Sequence, residues 1–262
     1  MTTQQNKAAA FRTLHEGASF VIPNPWDVGS ARVFEALGFE ALATTSSGFA
    51  FTLGRLDGAA TLEEVCAHTT QLDDATGLPV SVDLENGYSA DAAGVAASIA
   101  RVAEAGAVGA SIEDYDPAGG LYGLDEAVER VVAAVEAARQ LDFPFVLTAR
   151  AENHIRGNPD LADTIARLQA FEAAGADVLY APGLRTVDEI REVCDEVSRP
   201  VNVLAFGDLS LAEIAGAGAQ RVSVGGGLTW VAVRAFADAA GAIREGDLSP
   251  LGVGVPLREW FA

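Results

Sequence analysis

The sequence predicts a (β/α)8 TIM-type barrel formed as one domain over residues 1–262, and three observations carry that prediction. Eight short apolar runs recur along the chain, a longer stretch with helical periodicity follows each, and four of the helical stretches end in the same glycine punctuation. Apolar runs alternating with amphipathic helices are the pattern of a parallel sheet covered on both faces. Eight such units in 262 residues match the size of a closed barrel. The structural competitor is an open doubly wound sheet. No G-x-G-x-x-G follows the first strand, and Gly225-Gly226-Gly227 after the last is a weaker anion cradle.

Taken in order, FVIP (20–23) leads to a helix over 27–38 that Asp27 caps, and EALATT (40–45) leads to 61–76. PVSVDL (79–84) precedes a helix over 90–105, VGASIE (108–113) one over 125–141, and PFVLTA (144–149) one over 159–174. The last three units pair DVLYA (177–181) with 187–197, PVNVLA (200–205) with 208–217, and QRVSVG (220–225) with 229–245. Gly38, Gly106, Gly175 and Gly218 each stop a helix, and the chain re-enters the sheet within two or three residues. Such short links belong on one rim of a barrel. The longer strand-to-helix links on the other rim then carry the functional groups.

Composition narrows the partners. With 17 basic and 37 acidic residues the net charge is −20, so phosphate backbones and anionic lipid would both repel the chain. A chain this long buries roughly 70–75% of its unfolded surface, and its two cysteines make no disulfide framework. The N-terminal stretch lacks a secretory pattern and no segment reaches the roughly 20 apolar residues of a membrane span, which predicts a soluble, cytoplasmic protein.

The strand ends assemble distant residues into one cup. Asp57, Asp83, Glu85, Glu113 and Asp114 come from three neighbouring connections, with Arg150 close by. So many carboxylates raise one another's pKa unless a cation joins them. Oxygen donors without a Cys or His cluster favour Mg2+, with Mn2+ possible, over Zn2+. Asp83 is the expected direct ligand, with Asp57, Glu85 and Glu113 reaching the metal through water; Asp83 and Glu85 share strand parity. Arg150 suits a substrate carboxylate or phosphonate, or else an ion pair with Glu152 or Glu113. Ser46, Ser47 and Gly48 form a small polar turn able to cradle an anion.

At these residues the sequence resembles the isocitrate lyase/phosphoenolpyruvate mutase superfamily. The match runs from about Ile22 to Ser223, through IPNPWDVGSARVFEALGFEALATTSSGFAFTLGRLDG, PVSVDLENGY, GASIED, LTARAE, GADVLYAPGL and PVNVLA in the family's order. The resemblance implies a barrel whose last helix is exchanged between subunits, in a homotetramer built as a dimer of dimers or in a homodimer. It also implies Mg2+ holding a small 2-oxo carboxylate. By motif it assigns Asp83 to the inner metal shell and Asp57, Glu85 and Glu113 to water-mediated contacts. Ser46 and Gly48 are assigned to carboxylate binding, and Arg150 to the substrate anion. The C-terminal helix and tail, about 229–262, become candidates for subunit packing, with Leu251, Val253, Trp260 and Phe261 as apolar anchors.

One departure decides among the activities. The isocitrate and methylisocitrate lyases carry Lys-Lys-Cys-Gly-His or Lys-Arg-Cys-Gly-His on the loop after strand 4. This chain reads Tyr115-Asp116-Pro117-Ala118-Gly119-Gly120-Leu121-Tyr122, with no Cys, Lys or His, and it also lacks the Lys and Asn-Ser of the phosphonate-processing enzymes. Cys66 and Cys194 fall on helices as packing residues. The expected reaction is therefore one without a dedicated loop acid: Mg-dependent cleavage or decarboxylation of an oxaloacetate-like 2-oxo acid through a metal-stabilised enolate. Tyr88 and His154 are the spare proton-transfer candidates. A phosphonomutase-like enzyme acting on a C–P bond and a non-catalytic 2-oxo-acid binding protein are the alternatives.

Overall fold

A computed structural model describes residues 2–261, so the last residue of the expected packing segment 229–262 lies outside the described residues. Helix α1 (Gln4–Leu14) precedes the first unit; β1 (Phe20–Ile22), α2 (Val28–Ala36), β2 (Leu42–Ala43), α3 (Ser46–Thr52) and α4 (Leu62–Ala75) follow. Next come β3 (Val80–Asp83), α5 (Ala92–Glu104), β4 (Gly109–Glu113), a small hairpin of β5 (Tyr115–Asp116) and β6 (Gly120–Leu121), and α6 (Leu124–Arg139). The second half contains β7 (Val146–Arg150), α7 (Leu161–Ala173), β8 (Val178–Tyr180), α8 (Val187–Asp195), β9 (Val201–Leu204) and α9 (Leu211–Gly216). It closes with β10 (Arg221–Ser223), α10 (Gly227–Arg244), a 3-10 turn (Ser249–Gly252) and α11 (Leu257–Trp260).

Eight parallel strands form one sheet in the order β1-β10-β9-β8-β7-β4-β3-β2. The seam between its two ends is held by the Ala43 N–H, which donates to the Pro23 carbonyl at 3.1 Å. Asn24 reinforces the seam: its Nδ2 donates to the Thr44 carbonyl, and its Oδ1 accepts from the Val224 and Gly225 N–H groups. This is the (β/α)8 barrel that the alternation predicts. Asp27 caps α2 in a reciprocal box with Ser30, and Gly38, Gly106, Gly175 and Gly218 all have positive φ, as their punctuation requires.

Three elements depart from the reading of the sequence. Ser46–Gly48 are the first turn of α3, capped by the Thr45 side chain, rather than a free polar turn. The loop after β4 is folded back as the β5–β6 hairpin. Helix α1 plugs the lower end of the barrel, where Ala8 and Phe11 pack with Phe20, Ile22, Val146 and Val178. The plug is tight: a Cβ on Gly109 would lie 2.8 Å from Phe11 Cε1. The remaining core lies between strands and helices, and Cys66 and Cys194 pack half-buried against it. Helix α10 is the exception, with Thr229 its one buried residue among those described.

Candidate active site

A cup of about 250 Å³ opens at the C-terminal ends of the strands, lined by Asp83, Asp57, Ser46, Ser47 and Arg150 among others. A larger cavity of about 620 Å³ lies at the opposite end, against Arg12, Arg139, Val146 and Val178. The upper cup is the candidate site, because barrel enzymes place their chemistry at the carboxyl ends of the strands and the strand-end residues Asp83 and Arg150 line it together with Asp57.

Asp83 ends β3, and its position is set from three sides. Its N–H donates to Thr44 Oγ1 at 2.8 Å, the Ser46 N–H donates to its Oδ2 at 3.1 Å, and Arg150 Nη1 lies 2.7 Å from its Oδ1. Arg150 ends β7 and also binds Glu113 and Glu152, each at 2.8 Å. Three carboxylates therefore surround one guanidinium. Burial lowers its pKa while Glu152, Glu113 and Asp83 raise it, and the carboxylates win. Arg156 closes the ring from the next loop, 3.0 Å from Glu152 and 3.4 Å from Glu113, with its guanidinium stacked over Tyr115 of the hairpin.

Strand parity does not carry to Glu85. β3 ends at Asp83, Leu84 is fully buried, and Glu85 turns the chain with φ 46°. Tyr88 has φ 53°, so two non-glycine residues of one loop occupy the left-handed region, a conformation that needs external support. Arg130 supplies it: its Nη2 donates to the Asn86 and Ser89 carbonyls at 2.6 and 2.7 Å. Tyr88 Oη donates to Glu85 Oε1, which leaves the phenol facing Glu85 and away from the lining of the cup. Burial, with smaller pushes from Asp83 and Asp57, raises Glu85 to about 7 against the pull of the Tyr88 hydrogen bond. Glu113 stands behind Arg150 and burial pushes it to about 8.

The structure thus brings Asp83, Asp57, Arg150, Ser46 and Ser47 onto the cup wall and sets Glu85 and Glu113 just behind it. Gly48 lies beneath the wall. Its N–H serves the Thr45 cap, and a Cβ there would come within 2.7 Å of Thr229 Oγ1 and Thr45 Cγ2. His154 points elsewhere, with Nε2 3.7 Å from Glu189 Oε1 at the start of α8. Asp114 is tied into the framework: Arg167 Nη1 binds its Oδ2 and the Glu152 N–H donates to its Oδ1, both at 2.8 Å. Asn202, Ser223 and Arg221 also line the cup and escaped the sequence reading. A charge inside the otherwise apolar run QRVSVG was the available signal for Arg221.

The donor chemistry fits Mg2+. All candidate donors are oxygens, and the smaller part of the Glu85 shift, the repulsion from Asp83 and Asp57 that adds to burial, is what a divalent cation relieves. Among the described residues no three His, Cys, Asp or Glu side chains converge closely enough to ligate one ion together.

Comparison with known proteins decides the family. Residues 11–244 match the family model for phosphoenolpyruvate phosphomutase. The chain belongs to the isocitrate lyase/phosphoenolpyruvate mutase superfamily. Within this superfamily it is 33% identical to the oxaloacetate decarboxylase of Paraburkholderia xenovorans, over 86% of this chain and 77% of that protein. It is 31% identical to the 2-methylisocitrate lyase of Escherichia coli, over 68% and 62% of the two chains. In structure it superposes on a Burkholderia cenocepacia J2315 protein, provisionally named a lyase/mutase, with TM-score 0.95 and 50% identity, covering 99% and 96% of the two chains.

Proposed function

We propose that the protein is a Mg2+-dependent lyase or decarboxylase that cleaves a C–C bond of a small, oxaloacetate-like 2-oxo carboxylate. The observation that carries this reading is the cup itself: a small volume walled by Asp83, Asp57, Ser46 and Ser47, whose Arg156 stacks on a hairpin that has no Cys, Lys or His. Bound at Asp83, Mg2+ would supply a Lewis acid that polarises the 2-oxo carbonyl next to the bond being broken. The Ser46 N–H and Arg150 hold the Asp83 carboxylate in one orientation, while Thr44 Oγ1 anchors the Asp83 backbone N–H. Ser47 Oγ, 3.2 Å from Thr45 Oγ1, offers a hydroxyl to a substrate carboxylate. In the oxaloacetate case the C3–C4 bond breaks, CO2 departs, and C3 takes its proton from water, which needs no acid on the hairpin.

Phosphonomutase-like chemistry at a C–P bond is the second reading, favoured by the match to the phosphoenolpyruvate phosphomutase model. One experiment separates the two. The protein is incubated with Mg2+ and either oxaloacetate or phosphonopyruvate while 13C and 31P signals are followed. Pyruvate from oxaloacetate, lost on adding EDTA and in Asp83→Ala, supports the first; a new phosphorus resonance supports the second. Tight binding without turnover of either identifies a binding protein, and turnover indifferent to EDTA and to Asp83→Ala removes the metal from the account.

A further inference from the structure

Three guanidinium groups line the cup, those of Arg150, Arg156 and Arg221. Arg150 is held by Asp83, Glu113 and Glu152, and Arg156 by Glu152 and Glu113. Arg221 differs. Its Nε donates to Asn202 Oδ1 at 2.8 Å, its Nη2 to Thr148 Oγ1 at 2.9 Å, and its Nη1 faces His15 Nε2 at 3.2 Å, with no ion pair to any carboxylate among the described residues.

All three partners are neutral. Accepting from Arg221 at Nε2, His15 is assigned its proton on Nδ1, which donates to the Phe11 carbonyl at 2.8 Å. Burial, followed by the Arg221 charge, holds His15 down at about 3, so it stays uncharged at neutral pH. Arg221 itself is 5% exposed, and burial lowers it to about 10, which leaves it charged. A buried cation without a counter-ion is costly, and the interior of a barrel is ordinarily filled by branched aliphatic side chains. Here the cation sits between the apolar plug of α1 and the floor of the cup.

We infer that Arg221 is a specificity-determining residue, the uncompensated cation that selects the ligand of the cup by its negative charge. The inference rests on the cup being a site for small 2-oxo carboxylates, and it adds a charge rule to that reading. Arg150 and Arg156 sit among carboxylates that cancel them, so among the protein's own groups, apart from any bound Mg2+, the net attraction for an incoming anion comes from Arg221 below. Because that attraction scales with ligand charge, a dianion gains twice the free energy of a monoanion, roughly tenfold in affinity for each charge at a separation of about 10 Å.

Calorimetric binding of pyruvate, with one charge, and oxalate, of similar size with two, tests this on the full chain with Mg2+. Asn202→Asp gives Arg221 the counter-ion it lacks at almost constant shape, and Arg221→Gln removes the charge; Arg221→Lys restores it. Both Asn202→Asp and Arg221→Gln are expected to weaken pyruvate about tenfold and oxalate about a hundredfold, while Arg221→Lys stays near the wild type. If Arg221→Gln fails to fold, the ratio of the two losses in Asn202→Asp carries the test alone. Equal losses for the two acids, or none, overturn the inference and leave the reading of the cup intact. A wild-type protein that binds neither acid overturns both.

Discussion

Arg150 Nη1 and Asp83 Oδ1 lie 2.7 Å apart and join β7 to β3 across the intervening β4, whose own Glu113 binds the same guanidinium. Removing the guanidinium leaves three partly or fully buried carboxylates without their shared partner. Arg150→Ala is expected to cost about 3–5 kcal/mol, measured as the shift in urea unfolding. Arg150→Lys recovers only part of this, because an ammonium lacks the planar fork that reaches Asp83, Glu113 and Glu152 together.

Asp57 and Asp114, both among the five acids that the sequence places at the strand ends but only Asp57 expected at the metal, are expected to give opposite signatures. Asp57 is exposed on its loop, so Asp57→Asn changes stability by less than about 0.5 kcal/mol, yet weakens Mg2+ binding in titration calorimetry. Asp114 is 3% exposed and bonded to Arg167, so Asp114→Ala costs about 3–5 kcal/mol. The folded fraction of that variant retains its Mg2+ affinity. A loss of affinity in Asp114→Ala with Asp57→Asn unchanged would exchange their roles.

Acid destabilises the fold through two buried histidines. Burial and the Arg221 charge pull His15 to about 3, and burial pulls His68 to about 4, against about 6.5 in the unfolded chain. Between those values the unfolded chain binds protons that the folded one refuses. The stability contributed by the neutral histidines is thus complete above pH 6.5 and declines as pH falls towards 4 and then 3. Glu113, raised by burial, works in the opposite sense, its contribution declining as pH rises above the ordinary carboxylate range. Urea midpoints of His68→Phe and the wild type, compared from pH 7 to 5, isolate the histidine: the difference between them shifts in favour of the variant as pH falls.

Helix α10 presents Val231 and Phe236 at 65% and 71% exposure, and the tail adds Leu251 and Val253 at 68% and 76%. The start of α10 touches the barrel through Trp230 against Phe51, and α11 touches it where Arg32 of α2 lies over the Phe261 ring. An apolar face of this extent is the mark of an interface, and closed symmetry makes a second copy of the chain its natural cover. Light scattering is expected to give a mass two or four times that of the 27.1 kDa chain. Phe236→Glu should lower it, and a monomeric wild type would remove the proposal.

Much of this was legible in the residues. Runs such as PVSVDL and PFVLTA are apolar enough to be strands buried on both faces, and the helix-ending glycines set the direction of each return. Asp83 and Arg150 could be placed because they end their strands. What escaped depends on contacts between distant segments. The role of α1 as a plug rests on Phe11 meeting Gly109, and the position of Glu85 depends on a turn that Arg130 of another helix supports. His154 was near Arg150 in sequence but is drawn to the N-terminal turn of α8, a preference no local pattern encodes.

The plug of α1 makes the barrel blind-ended. Whatever enters the cup and whatever is released share one mouth, so under the proposed cleavage the two fragments would leave in sequence rather than by separate exits. The fragment that leaves last then occupies the place of the next substrate, and inhibition by it would be competitive by construction.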